Sequence, residues 1–193
     1  MNIDNLKLEK NYGIMLSGGL DSAVLLYLLI SQNKQINIQP FTIDKSDGSM
    51  MHVDTVIEHF NKKFNLSIPK TIKVGDSSLH HRLQSKSAVK DIFEKYHIDI
   101  LFNAINQNPE ELSKLPGAPI RDKKSYDPRI IFPFVNLLKT DILKFMFDNN
   151  QEDLSLITHS CTEQQIGRCC KCWQCTERSW AFSTLGKPDP GNR

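Results

Sequence analysis

The sequence predicts an α/β protein with a doubly wound, mostly parallel sheet. Short apolar segments alternate along the chain with segments in which apolar residues recur at helical spacing. A glycine-rich turn, residues 17–22, joins the first apolar segment to the first helical one. Alternating strands and helices favour a parallel sheet with helices on both faces. The chain of 193 residues is long enough for one such domain.

The N-terminal part of the sequence predicts a βαβ unit. Residues 12–16 are expected to form a buried strand, and residues 23–30 an apolar helix. Residues 36–43 predict the second strand, which ends next to Asp44. Ligands of doubly wound sheets bind at the carboxyl ends of strands, so Asp44 is a candidate nucleotide contact, with a simple turn residue as the alternative. Apolar residues at helical spacing over 52–64 predict the next helix.

The same alternation continues toward the C-terminus. Further strands are predicted at residues 70–74, 99–105 and 130–134, and further helices at residues 85–96 and 139–149. The helix at 139–149 is expected to be the last helix of the core. Residues 106–126 hold three prolines and many polar side chains, which predicts a long loop of the kind that shapes active sites.

Composition and charge argue against two classes of partner. The formal net charge is +2 and the pI is about 8.2, a weaker basic excess than a dedicated nucleic-acid binder usually carries. The first residues show no basic region followed by an apolar stretch, and no apolar run approaches the ~20 residues that cross a bilayer. We therefore expect a cytoplasmic protein without a membrane or nucleic-acid partner.

The turn after the first strand predicts a phosphate-binding loop. It consists of Ser17, Gly18, Gly19, Leu20, Asp21 and Ser22. Unpaired backbone N–H groups and the helix dipole favour anions at a helix N-terminus, and the two glycines let the backbone come close to a ligand. The serine hydroxyls can add hydrogen bonds, and Asp21 can cap the helix or help to hold Mg²⁺. A plain strand-to-helix turn with capping residues is the alternative.

This hexapeptide resembles the PP-loop signature, Ser-Gly-Gly-x-Asp-Ser, of the ATP pyrophosphatase superfamily. The resemblance implies an adenine nucleotide alpha hydrolase-like fold that binds ATP and Mg²⁺. Members of this superfamily cut ATP between the α and β phosphates, transfer AMP to a substrate oxygen and release pyrophosphate. The adenylated carbon then accepts a nitrogen or sulfur nucleophile. The loop would position the leaving pyrophosphate and neutralise its charge.

The cysteines near the C-terminus predict a metal site. All five lie between positions 161 and 175, and in a reducing compartment such crowding favours a metal over disulfides. Cys169, Cys172 and Cys175 follow one another at three-residue steps, and Cys161 can supply a fourth thiolate for a closed tetrahedral Zn²⁺ site. An iron–sulfur cluster is the alternative occupant, and Cys170 is an alternative ligand to Cys169.

The two motifs together resemble the 7-cyano-7-deazaguanine (preQ0) synthase family. The matching positions are Ser160, Cys161, the cysteines of residues 169–175, Arg178, Phe182, Gly186, Asp189 and the segment 133–141. The resemblance implies a ligase that adenylates 7-carboxy-7-deazaguanine with ATP, admits ammonia to form an amide, and dehydrates the amide to a nitrile with a second ATP. It also makes Lys139 a candidate catalytic contact to phosphate or adenylate, beside Asp21. A solvated lysine at a helix start is the alternative.

The expected organisation is an ATP-binding α/β domain over residues 1–155, followed by a zinc-binding segment over residues 156–193. Three other functions stay open from the sequence. They are tRNA thiolation by a PP-loop enzyme, adenylation of a different carboxylate, including one on a protein, and nucleotide binding without catalysis. The sequence is compatible with a homodimer as well as a monomer.

Overall fold

The computed structural model describes residue 3 and residues 6–43, 49–121 and 127–190, without the side chains of residues 49, 81 and 82. The strands are β1 (Tyr12–Met15), β2 (Ile38–Thr42), β3 (Ile72–Lys73), β4 (Ile100–Phe102) and β5 (Ile130–Ile131). The helices are α1 (Leu20–Gln32), α2 (Ser49–Phe64), α3 (His81–Lys95), α4 (Glu110–Ser113), α5 (Lys139–Asp148), α6 (Leu154–Ile157) and α7 (Trp173–Thr184).

The five strands form one sheet in the order β3-β2-β1-β4-β5, and every neighbouring pair is parallel. Ile14 of β1 lies between Pro40 of β2 and Phe102 of β4. The chain builds the sheet outward from β1 on one side, through β2 and β3, and then crosses to β4 on the other side. The direction of winding therefore changes between β1 and β4, which is where ligands bind in doubly wound sheets. The predicted fold class is confirmed.

The buried apolar residues form two clusters on opposite faces of the sheet. Phe102 belongs to the larger cluster, with helices α1, α2 and α5, whereas its neighbour Leu101 belongs to the smaller one, with Ala88 and Ile92 of α3. Adjacent residues of a strand point to opposite faces, so this division separates the two faces. Helix α1 is buried on nearly every side, which explains its unbroken run of apolar residues.

Three details of the sequence-based prediction are wrong. Helix 139–149 is not the last helix of the core, because α7 follows it and packs against α5 with Ala181 and Phe182 buried. Cys175, Glu177 and Arg178 interrupt the apolar pattern of α7, so the apolar spacing did not indicate this helix. The loop at 106–126 contains the short helix α4, and the strands β3, β4 and β5 are shorter than predicted.

Within the part of the chain that the structure describes, no helix is long and apolar enough to cross a membrane.

Candidate active site

The glycine-rich loop lies at the carboxyl end of β1 and opens α1. Gly18 has a φ of 72°, and a Cβ at this position would lie 2.4 Å from the Cβ of His52 on α2. Both the backbone conformation and the lack of space therefore require glycine at this position. Gly19 is the N-cap residue of α1 and offers no side chain to the first turn, so the N–H groups of that turn point into the loop without a capping side chain.

The two predicted serines hold the shape of this loop. The Ser22 hydroxyl donates to the Gly19 carbonyl at 3.0 Å, and the Ser17 N–H donates to the Ser22 hydroxyl oxygen at 3.3 Å. The side chain of Leu20 is buried in the core. Leu20 can therefore meet a ligand only through its backbone.

Lys139 and Asp21 meet at the edge of the loop although they are 118 residues apart in the sequence. Lys139 begins α5, and its Nζ donates to Asp21 Oδ2 at 2.6 Å. Lys139 is only 3% exposed, so it is buried and not solvated. Burial alone would lower its pKa, but the charges of Asp21 and Glu177 outweigh this effect and raise the pKa. The lysine is therefore a fixed positive charge beside the loop.

Two further charged residues complete this cluster, and the sequence analysis did not find them. Glu177 of α7 lies 3.3 Å from Lys139 Nζ, and it accepts two hydrogen bonds from Arg121, at 2.7 and 3.0 Å. Burial alone would raise the pKa of Glu177, but Lys139 and Arg121 lower it. The sequence does contain a signal for Glu177. Trp173, Glu177 and Ala181 are spaced four residues apart, which indicates that they share one face of a helix, and this face of α7 is buried.

A cavity of about 220 Å³ opens beside the charged cluster. It is lined by Asn106, Gln107, Asn108, Arg121 and Val135. Asn106 connects the cavity to the cluster, because its side-chain amide donates to Glu177 at 3.3 Å. Among the described residues, Asn108 Oδ1 is buried without a hydrogen-bond partner. The cavity thus presents amide groups and a guanidinium to a polar ligand.

The four predicted thiol ligands come together in the structure. The Sγ atoms of Cys161, Cys169, Cys172 and Cys175 all lie within 4.8 Å of one another. A tetrahedral Zn²⁺ with Zn–S bonds of about 2.3 Å needs its sulfurs within roughly 4 Å of each other, so small shifts would close this group on one ion. Cys170 lies outside the group and is exposed, with a φ of 57°.

The thiols of the cluster ionise unequally. Burial opposes ionisation of Cys172, but hydrogen bonds involving Thr162 and Cys175 lower its pKa to about 6. Burial and the neighbouring Cys172 raise the pKa of Cys175. A positive ion between the sulfurs would favour the thiolate form of every ligand.

The segment before Cys161 lies directly against the glycine-rich loop. The His159 N–H donates to the Gly18 carbonyl at 2.9 Å. The His159 ring stacks on His52, with 4.1 Å between ring centroids. The two rings hydrogen-bond through Nε2 to the carbonyls of Gln164 and Gln165, which belong to the stretch between the first two cysteines of the group. The cysteine segment and the loop therefore share a contact surface.

Arg178 anchors α7 from the other side. Its side chain is fully buried and pairs with Asp189 at 3.0 Å, while it also donates to the carbonyls of Ser155 and Thr158. Burial is the main cause that lowers the pKa of Arg178, and the positive charge of the nearby Arg168 lowers it further. Burial alone would raise the pKa of Asp189, but Arg178 and Arg168 lower it. The motif residues Arg178 and Asp189 are therefore structural partners of each other.

The structure brings most of the predicted site residues into one region. The loop residues 17–22 and Lys139 converge at the end of β1, and the four cysteines form one group nearby. Asp44, the remaining predicted nucleotide contact, lies outside the described residues. Trp173 is buried, and Trp180 packs at the edge of the core and donates to Glu111.

Comparisons with known proteins find no matching family model and no matching curated protein. Among solved structures, the chain is similar to the NMN synthetase from Francisella tularensis, with 16% identity over 93% of this chain and 78% of that chain, and a TM-score of 0.54. It also matches the U34-tRNA thiolase NcsA from Methanococcus maripaludis with its [4Fe-4S] cluster, with 19% identity over 98% and 70% of the two chains and a TM-score of 0.48. At these identities the first similarity shows the fold, and the second is too distant to add to it.

Proposed function

We propose that this protein is an ATP-dependent enzyme that adenylates a carboxylate and releases pyrophosphate. The observation that carries the proposal is the Asp21–Lys139 pair at the edge of a glycine-rich loop that opens α1. The loop supplies N–H groups for phosphate oxygens, and Lys139 supplies a positive charge where pyrophosphate would leave. Asp21 Oδ1 is buried without a hydrogen-bond partner among the described residues, so it fits the role of a Mg²⁺ ligand.

The proposed acceptor is 7-carboxy-7-deazaguanine, with ammonia as the nitrogen donor. This assignment is supported by the motif resemblance and by the cavity next to the charged cluster. The amide side chains of Asn106, Gln107 and Asn108 can hydrogen-bond to the edge of a heteroaromatic ring, and Arg121 can hold a carboxylate. Protein groups act here mainly by positioning and by stabilising charge, since the covalent steps take place between the substrates. The products are AMP, pyrophosphate and first an amide, then the nitrile.

We further propose that residues 1–155 form the ATP-binding domain and that residues 156–193 form the metal-binding segment. Zn²⁺ is the proposed occupant of the four-cysteine group. A multi-iron cluster keeps its cysteine sulfurs further apart than a single ion does, because iron and sulfide atoms lie between them. The close approach of the four Sγ atoms therefore favours one ion. When bound, Zn²⁺ would stabilise the start of α7.

The proposal is tested by incubating the purified protein with ATP, Mg²⁺, 7-carboxy-7-deazaguanine and ammonium. Pyrophosphate and AMP are measured, and mass spectrometry follows the amide and the nitrile separately. Pyrophosphate release that depends on the carboxylate supports the proposal. If the protein binds an ATP analogue but releases no pyrophosphate with this acceptor, the acceptor assignment is wrong. Failure to bind any adenine nucleotide rejects ATP use itself.

A further inference from the structure

Glu177 links the phosphate side of the site to the acceptor side. We infer that this glutamate is a positioning residue, which holds Lys139 against Asp21 and holds Arg121 in the lining of the cavity. The inference rests on the proposed ATP-dependent function of the same site. Neither the sequence motifs nor the proposed reaction assigned a role to Glu177.

The first support is the geometry of the carboxylate. Glu177 is 1% exposed and uses both oxygens, with Oε1 accepting from Arg121 and Oε2 lying near both Arg121 and Lys139. The side chain of Lys139 is 4% exposed and that of Arg121 is 17% exposed. A glutamate at this depth, paired to two different cations, is fixed in one orientation.

The second support is the charge balance. Lys139 and Arg121 are like charges in a buried region, and the charge of Arg121 opposes the protonation of Lys139. Asp21 contacts only Lys139 of these two cations, at 2.6 Å. Glu177 therefore supplies the negative charge that allows both cations to remain close together. Without it, Arg121 would lose its bidentate partner and Lys139 would keep only Asp21.

The third support is the way in which α7 itself is held. Cys172 is the N-cap residue of α7, and Cys175 lies in its first turn. Arg178, which follows Glu177 directly, is tied to Asp189 and to the carbonyl of Ser155. Glu177 is thus placed by fixed neighbours on both sides, as precise positioning of a charged group requires.

The test compares Glu177→Gln with Glu177→Asp and with the matched control Glu163→Gln, which changes an exposed glutamate of the same C-terminal segment. We measure kcat and KM for pyrophosphate release, and the Kd of the non-cleavable analogue AMPCPP by calorimetry. For Glu177→Gln, kcat should fall about 100-fold, because small displacements of catalytic groups have effects of this size. The Kd of AMPCPP should stay within about threefold of the wild-type value, since the loop backbone is unchanged. Glu177→Asp should recover part of kcat.

A second readout does not depend on the acceptor. Lys139 in each folded variant is labelled with acetic anhydride and quantified by mass spectrometry. Labelling of Lys139 should be at least about tenfold faster in Glu177→Gln than in the wild type or in Glu163→Gln, because the lysine loses one of its two buried partners. Equal labelling in the wild type and Glu177→Gln overturns the inference. So does wild-type kcat in Glu177→Gln, or a loss of kcat that Glu177→Asp does not relieve.

If the wild-type protein releases no pyrophosphate, the proposed function has failed on its own, and the labelling result still decides the role of Glu177. Should Glu177→Gln not fold, Glu177→Asp serves for both measurements. In that variant, faster Lys139 labelling with AMPCPP affinity retained supports the inference, and unchanged labelling rejects it.

Discussion

Lys139 is a buried lysine at the start of α5, beside the glycine-rich loop. A lysine at the start of a helix is usually solvated, whereas this one is buried and bonded to Asp21 from a distant part of the chain. Its neighbours Asp21 and Glu177 raise its pKa against the effect of burial. Lys139 therefore stays charged at neutral pH, as the proposed partner of a leaving pyrophosphate must.

The charge of Lys139 is expected to be needed for turnover. Lys139→Met keeps the length of the side chain but removes the positive charge, and we expect kcat for pyrophosphate release to fall about 100- to 1,000-fold. The matched control is Lys144→Met, an exposed lysine on the same helix. Steady-state kinetics of both variants check this. Normal turnover by Lys139→Met would exclude an electrostatic role for this residue.

Gly18 offers a separate test of the loop. Gly18→Ala should lower the free energy of unfolding by about 1–3 kcal/mol, because alanine is strained at positive φ and its Cβ would meet His52. It should also weaken AMPCPP binding by distorting the loop. Gly117→Ala is the matched control, since Gly117 has a φ of 82° but nothing within 4 Å of an added Cβ. Urea unfolding measures the free energy of unfolding of both variants, and calorimetry measures their Kd for AMPCPP. Gly117→Ala reports the effect of backbone strain alone, whereas Gly18→Ala reports strain together with the clash. The same binding loss in both variants would contradict the expected effect on the loop.

At the scale of elements, α7 explains why the sequence predicted only part of the site. Apolar periodicity located the strands and helices that build the sheet, and the loop motif located residues 17–22. In α7 the buried face includes Cys175, Glu177 and Arg178, which do not form an apolar pattern. Their burial depends on partners far away in the chain, such as Arg121 and Asp189. A local pattern cannot report such pairs.

The ion pair between Arg178 and Asp189, which holds α7, makes the stability of the fold depend on pH in the acid range. Asp189 has a folded-state pKa below its usual value of 3.8, so its stabilising effect is complete above about pH 4 and is lost as the pH falls through the folded-state pKa. Asp189→Asn should lower the free energy of unfolding by about 3–5 kcal/mol at neutral pH, because it removes one partner of a buried ion pair.

The difference between Asp189→Asn and the wild type should begin to shrink below about pH 4, where Asp189 is protonated in the unfolded chain, and should continue to shrink as the pH falls toward the lower folded-state pKa. Chemical unfolding from pH 3 to pH 7 measures this difference. Asp148→Asn, at an exposed position, should match the wild type throughout. A difference that does not change with pH would show that the charge of Asp189 is not what stabilises α7.

At the scale of the whole molecule, the four-cysteine group and the glycine-rich loop lie close together although they are far apart in the sequence. The parallel sheet places the loop at the end of β1, and the His159 segment covers it on the way to Cys161. The alternation of strands and helices was sufficient to predict the sheet. The contact between the two motifs could not be predicted, because it depends on the path of residues 149–158, where the sequence holds no motif.

This arrangement predicts that metal binding supports nucleotide binding. Cys175→Ser should lose most of the bound metal, lower the melting temperature and weaken AMPCPP binding, because the segment that contacts Gly18 would lose its anchor. Cys170→Ser should behave like the wild type, since Cys170 lies outside the thiol group. Elemental analysis measures the bound metal of both variants, and calorimetry measures their melting temperatures and their Kd for AMPCPP. Full AMPCPP affinity in metal-free Cys175→Ser would show that the two sites are independent.

The order in which Asp21 and Glu177 occur in the chain has a consequence for synthesis. The glycine-rich loop leaves the ribosome early, whereas Glu177, which completes the charge cluster beside it, comes 156 residues after Asp21 (177 minus 21). At about 5–20 residues per second, about 8 to 30 seconds pass between them. During that time the nascent chain holds Asp21 and then Lys139 without Glu177. A growing chain therefore contains the glycine-rich loop well before it can assemble the complete charge cluster around Lys139.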